Sequence, residues 1–308
     1  MTIQLEREEA GRETTGRPSL GGRRLRSFVG DWLPAVPFLV IIGGLLVGAA
    51  IWLVQASFRN PLSGEWNLDA WQQAFAAGPL YRGAIVNSLV IALTTATICT
   101  VVGTPLAWFI HHLAGRQRAF AVALTNTGAN FVGISLAQTF VATLGVAGFA
   151  TKILSDLGIA WRDGLYQMHG LVALFCYFTL PLYVLLVLPA MSAVKPTWWE
   201  AVQVSSGGRW TYWRRVGLPV LFPFILSGWV LTFAWSIGQF SVLDALLSSQ
   251  GEQFITTRIG GLINAGVVFG DQSQLAAAYS VLLMGISLIA LAAYQLLSWR
   301  PLQRLKES

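Results

Sequence analysis

Six long stretches of this chain carry no Asp, Glu, Lys or Arg: 32–58, 83–110, 119–151, 164–194, 216–243 and 272–299. Each is continuously apolar and lacks the in/out alternation of a membrane barrel strand. Each is also long enough for the roughly 20 residues that carry a helix through a hydrocarbon core about 30 Å thick. The pattern predicts an all-α membrane protein with six transmembrane helices. The organisation is a polar tail over 1–32, a first span over 33–58, a five-helix core over 83–297 and a short tail over 298–308. The polar segments at about 59–82, 152–167 and 245–274 are too small to be catalytic domains. Within the first of them, 67–75 reads as a short amphipathic helix lying on a membrane face.

The longest polar interruption in the last two-thirds of the chain runs over 197–219, between the fourth and fifth windows. Thr197 and Glu200 have capping-box spacing, which predicts a helix starting at Trp198. Gly207 and Gly208 offer the left-handed residue that stops it. Pro219 marks a second boundary, because the residue before a proline is pushed out of the helical region. The expectation is a short helix, a sharp turn and a second short helix at a membrane face.

Composition agrees with the membrane class. Of the 308 residues 55% are hydrophobic and 11% charged, against about 25% charged in soluble domains. Thirteen tryptophans suit a protein that needs interfacial anchors. The net charge of +6 matters through its distribution. Fifteen of the 20 basic residues fall in the first tail (Arg7, Arg12, Arg17, Arg23, Arg24, Arg26), at Arg116 and Arg118, in 195–215 (Lys195, Arg209, Arg214, Arg215) or near the end (Arg300, Arg304, Lys306). Arg59, Arg82, Lys152, Arg162 and Arg258 lie on the other side. The positive-inside rule then makes both termini, and the loop 197–219, cytoplasmic. The expected contact of these cations is membrane lipid, and no nucleic-acid partner is expected.

Polar side chains inside spans usually face a bundle interior or a water-filled route. Asn87, Asn126, Asn130, Gln138, Gln239 and Asp244 are candidates for lining one, with interhelical hydrogen bonding as the plainer role for any single residue. Cys99 and Cys176 read as small buried hydrophobes. Gly43-Gly44 and Gly260-Gly261 read as places of close helix packing or bending. The chain has no GxxxxGK[ST] phosphate loop, no HExxH, no nucleophile constellation and no ladder of intramembrane acids. No cofactor, catalytic residue or metal site is therefore expected, and the energy for any transport must enter from another chain.

The loop carries one further pattern. Glu200-Ala201-Val202, the turn Ser206-Gly207-Gly208, Arg209-Trp210, Trp213-Arg214-Arg215-Val216 and Leu218-Pro219 resemble the cytoplasmic EAA loop of inner-membrane permease subunits of bacterial binding-protein-dependent ABC importers. Val202 replaces the usual second alanine, and Ser206 stands where that family has its glycine. The likeness extends over about 83–297, with the EAA loop at 197–219. It implies the type I ABC importer permease fold in a bacterial inner membrane. It implies a non-catalytic subunit that works with a cytoplasmic ABC ATPase dimer, a second permease (identical or not) and an extracytoplasmic solute-binding protein. It places the ATPase-coupling role on Glu200, Ala201, Ser206, Gly207, Gly208, Arg209, Leu218 and Pro219, with Trp198, Ala201 and Val202 as the apolar face that enters the ATPase groove. Gly238-Gln239-Phe240 and the segment from Asp244 look similar to the polyamine/opine/phosphonate/iron/thiamine-type branch, implying a polyamine-like or other small polar or charged solute. A stand-alone secondary transporter or channel is the alternative.

Overall fold

The computed structural model describes residues 35–76, 79–158, 164–247, 254–269 and 272–306. Among them, six helical segments are long and apolar enough to cross a membrane: Val40–Phe58, Gly83–His112, Ile134–Asp156, Met168–Ala193, Arg209–Ile237 and Gln272–Leu296. The only extended pairing among the described residues is one isolated bridge between Arg59 and Trp66, so the all-α reading with six spans holds. The tail 1–32, the start of the first window and Arg162 lie outside the described residues.

The chain divides into a unit that ends at Leu53 and a unit from Val54 onward. Helix α1 (Ala35–Phe58) supplies all of the first unit that is described. The second unit contains α2 (Asp69–Ala76), α3 (Pro79–His112), α4 (Gly115–Asn130), α5 (Ile134–Leu144), α6 (Phe149–Asp156), α7 (Met168–Val187), α8 (Pro196–Val204), α9 (Arg209–Tyr212), α10 (Leu218–Ile237), α11 (Phe240–Leu247), α12 (Ile255–Phe269) and α13 (Gln272–Lys306). A 3₁₀ segment, Leu188–Ala193, prolongs α7 toward α8.

Two of the charge-free windows resolve into more than one α-helix. The third is split twice. Gly133, at a φ of 94°, turns the chain between α4 and α5, and 145–148 interrupt α5 and α6. In that second turn a Cβ on Gly148 would lie 2.4 Å from the Thr143 carbonyl oxygen, a contact only glycine avoids. Both glycines of the turn are buried, as irregular backbone at membrane depth requires. In the fifth window α10 ends at Ile237, and Gly238 and Gln239 separate it from α11. The polar segment before the last span is itself largely a helix, α12, and Gly260 lies so close to the Phe240 ring that a Cβ would sit 2.7 Å from it. The last helix continues without a break to Lys306.

Helix α2 confirms the amphipathic reading of 67–75 but not its expected lipid contact. Its small face, Ala70 and Ala74, is buried with Leu262 of α12 and Ala278 and Tyr279 of α13. Alanines let the helices approach closely, so the face packs on protein. Gln274 closes this end with a 2.6 Å hydrogen bond from its Nε2 to the Asn67 Oδ1.

The centre of the second unit is the junction of α3, α7 and α10. Lipid tails are as apolar as leucine, so close packing and hydrogen bonds must hold these helices together. Tyr183 of α7 is completely buried. One edge of its ring lies against Gly103 of α3, where a Cβ would come within 2.5 Å, and another against Gly228 of α10, where a Cβ would come within 3.0 Å. Its hydroxyl hydrogen-bonds Thr104 Oγ1 at 2.8 Å. A second tie between α3 and α10 runs from Trp229 Nε1 to Thr97 Oγ1 at 3.2 Å.

Gly103→Ala and Gly228→Ala should each destabilise the protein by about 1–3 kcal/mol through overpacking, whereas Tyr183→Phe, which removes only the hydrogen bond, should cost about 0.6 kcal/mol. Melting midpoints of the detergent-solubilised protein test this order; an alanine variant as stable as the parent would contradict the junction.

Candidate functional site

Helix α8 begins two residues earlier than the capping-box reading places it. Pro196 occupies the first turn, with Lys195 as the N-cap, and no side chain caps the helix. Proline suits this position because its fixed φ is already helical and its missing N–H would have been unpaired. Thr197 is thus inside the helix and caps nothing.

The helix stops at a Schellman turn whose left-handed residue is Ser206, at a φ of 56°, not Gly207. The Ser206 N–H donates to the Gln203 carbonyl at 3.0 Å and the Gly207 N–H to the Val202 carbonyl at 2.9 Å, the two bonds that define this motif. Gly207 is needed for space instead: a Cβ there would lie 2.7 Å from Val202 Cγ1. The serine therefore accepts the strained position and the glycine the crowded one.

The expected second boundary at Pro219 is absent. From α9 the chain passes through a π-helical turn, Trp213–Gly217, directly into α10, with Gly217 and Leu218 both helical. The Leu218 N–H reaches back five residues to the Trp213 carbonyl. A π turn widens the helix, and a proline just after it needs no N–H partner and meets less crowding from the preceding turn. Residues Arg209–Ile237 consequently form one uninterrupted stalk from the loop into span five.

The outward face of the loop also differs from the expectation. Trp198 and Val202 pack inward, against the cluster built from Tyr183, Val187, Tyr212 and Leu221. Glu200 and Ala201 are exposed, and beside them Val204 is 88% and Trp210 75% exposed. Gly208 and Arg209 are exposed on the same turn. Trp210 was quoted in the loop pattern but given no docking role, and Val204 was not singled out; the helical spacing of Ala201 and Val204, three residues apart, was the available signal. Trp108, and its pairing with the Trp213 of the loop pattern, was also missed. Their rings meet edge-on at 4.7 Å.

The six polar path candidates do not form one group. Asn87 is half-buried on α3. Asn126 and Asn130 lie on α4, outside the six candidate spans, both exposed. Asn130 Nδ2 donates to the Asn126 carbonyl at 2.8 Å. Gln138 is exposed on α5 and Asp244 exposed on α11, and the buried sides of these two helices share one core that includes Leu136, Val242 and Leu246. Gln239 sits in the break before α11, half-buried. Glycine and asparagine placed the α4–α5 break, and charge-free length alone could not register it. At the end of α3 away from the loop, a cavity of about 310 Å³ is lined by Asn60, Asp69, Gln73, Arg258 and Gln274. Cys99 and Cys176 are free thiols. Among the described residues no cluster of three His, Cys, Asp or Glu could hold a metal ion.

No protein-family model matches the chain. Curated relatives do. It is 24% identical over 236 residues to the spermidine/putrescine transport system permease protein PotC of Haemophilus influenzae, covering 75% of this chain and 84% of that one. It is 27% identical over 231 residues to the molybdenum transport system permease protein ModB of Mycobacterium tuberculosis, covering 73% and 80%. Among solved structures, a bacterial ABC transporter involved in the import of the acidic polysaccharide alginate matches 91% of this chain and 99% of its own, with a TM-score of 0.58 and 18% identity. A second structure is of a bacterial alginate ABC transporter in complex with an alginate pentasaccharide-bound periplasmic protein, at a TM-score of 0.57. The fold is that of a type I ABC importer permease. With six apolar spans and these relatives, the chain is a multi-pass bacterial inner-membrane protein similar to ABC transporter permeases.

Ser206→Gly should relieve the left-handed strain and stabilise the turn by about 0.5 kcal/mol, the difference between the αL penalty of a side chain and the extra freedom of an unfolded glycine. Gly207→Ala should loosen it. Hydrogen exchange at the amide of residue 207 should slow in the first variant and quicken in the second.

Proposed function

We propose that the chain is the permease subunit of an ATP-driven uptake system, coupled through residues 200–219 to a cytoplasmic ATPase dimer. The observation that carries this reading is the loop. An exposed carboxylate and an apolar edge, Glu200 with Ala201 and Val204, stand on a short helix that a stiff turn joins to the stalk of span five, where Trp210 is exposed just past the turn. An amphipathic helix with such an edge suits a groove on a partner. Ser206, Gly207 and Gly208 hold the turn, Arg209 offers the partner a cation, and Leu218 and Pro219 keep the stalk helical. The chain itself is non-catalytic, and ATP hydrolysis belongs to the partner. Both termini lie on the ATPase side, in keeping with the basic residues of 1–32, 195–215 and the C-terminal segment.

A second permease, identical or not, completes the path, and an extracytoplasmic binding protein delivers the solute. Asn126, Asn130, Gln138 and Asp244 are polar and exposed, and Gln239 sits at a helix break. Gln138 lies within a candidate span, where a polar group is costly against lipid; this supports a route past it between the two permeases, with the other four at its margins. The solute is small and polar or charged, polyamine-like compounds among the class. The relatives' names span polyamine, molybdenum and sulfate transport, so they favour neither charge sign. ATP binding and release would shift the assembly between outward- and inward-facing populations.

Glu200→Lys places a like or unmatched charge in the interface and should lower ATP-driven uptake by about a hundredfold or more, as a cost of several kcal/mol implies, with membrane insertion unchanged. Wild-type uptake by this variant, or uptake by the chain alone in liposomes, would overturn the reading. Gln239→Ala should slow uptake while the ATPase still co-purifies; an unchanged rate would remove Gln239 from the path.

A further inference from the structure

Four aromatic rings connect α8 to the end of α3, a helix some ninety residues earlier in the chain. Trp199 of α8 meets Tyr212 of α9 edge-on, with centroids 5.3 Å apart and planes at 80°. Tyr212 meets Trp213 at 5.8 Å and 75°. Trp213 meets Trp108 of α3 at 4.7 Å and 73°. Trp108 then lies 4.2 Å from His112, whose Nδ1 donates to the Trp108 carbonyl at 2.8 Å. Resting on the assignment of α8 as the ATPase-docking helix, we propose that this string of rings hands the displacement of α8 directly to span two, in addition to the spans that flank the loop in sequence.

Three observations carry the proposal. First, edge-to-face pairs in this range of separations are attractive and geometrically specific, so they resist both separation and compression. Second, Trp213 is wedged in place. It belongs to the π turn, and its ring lies over Gly217, where a Cβ would come within 2.8 Å of Cε3. It cannot swing back when its neighbours push. Third, the space beside the string is open. A cavity of about 430 Å³ lies among His111, Ser192, Pro196, Glu200 and Arg209 as well as the rings. Beside the apolar cluster that Trp198 and Val202 join, the rings are therefore the direct side-chain route from α8 to the end of α3.

The far end of the string is equally defined. Trp108 stands five residues beyond Gly103, about 7.5 Å along the helix at 1.5 Å per residue. Gly103 receives the Tyr183 ring that also bears on Gly228. A displacement of Trp108 thus enters the junction of spans two, four and five from the side.

The test uses the assembled transporter with its ATPase and second permease subunits in proteoliposomes. Trp108→Ala and Trp213→Ala should retain the ATPase on purification, yet transport about three- to tenfold less solute per ATP hydrolysed, the loss that one or two ring contacts represent. Trp108→Phe should restore most of the coupling, because a ring edge remains. Retained ATPase with unchanged solute per ATP in both alanine variants would overturn the transmission alone. A wild-type chain that retains no ATPase would overturn the docking assignment and the transmission with it. A second measurement does not depend on how the alanine variants fold. Spin labels at the exposed positions Gln203 on α8 and Leu106 on α3 should keep their separation when the wild-type complex is trapped with ATP. A separation that changes on trapping would show that α8 moves without α3, and the proposal would fall.

Discussion

The contact on which the second unit depends is a tyrosine ring held between two glycines. In lipid no hydrophobic force drives helices together, so α3, α7 and α10 need shapes that fit. Gly103 and Gly228 leave room for Tyr183, and the ring fills it from the third helix. The Thr104 hydroxyl satisfies the one polar atom that this buries. The cytoplasmic-type loop hangs from the same three helices: α7 runs into the 3₁₀ segment that leads to α8, α10 continues the stalk from α9, and α3 ends at Trp108 and His112. Moving that junction moves everything the loop is attached to.

The loop itself is built to be stiff. Its turn is a Schellman motif with both backbone bonds made, even though a serine occupies the left-handed site. Its exit is a π turn that keeps Pro219 inside a helix instead of at a hinge. A docking helix on a floppy tether would dissipate a partner's motion. As the docking helix proposed above, α8 on its capped turn and continuous stalk would pass it on. The strain at Ser206 and the widened turn at 213–217 are the local departures from regular structure that this stiffness requires.

The other half of the unit is where the helices break. Turns at 131–133, 145–148 and 238–239 interrupt windows that carry no charge. Backbone of this kind survives in a membrane only when protein surrounds it, and the buried glycines at 145 and 148 meet that condition. The breaks leave Gln138, Gln239 and Asp244 on short segments packed on one another, while Asn126 and Asn130 stay apart on α4. Gln138, Gln239 and Asp244 thus collect where the regular helix fails, and on the proposed route these breaks would offer backbone groups to a solute.

The sequence by itself determined the membrane class, the six spans and the position of the loop. Those follow from charge-free length and from residue spacing along the chain, and neither depends on what packs against what. Helix ends within the windows, the inward turn of Trp198 and Val202, the strained serine and the helical proline were decided by tertiary structure. Hydropathy is silent on all of them, since a window apolar on every side has no periodic face to reveal its neighbours. The ring contact between Trp108 and Trp213 is the plainest case. Each tryptophan alone reads as an interfacial anchor, and only the approach of two helices a hundred residues apart makes them a pair.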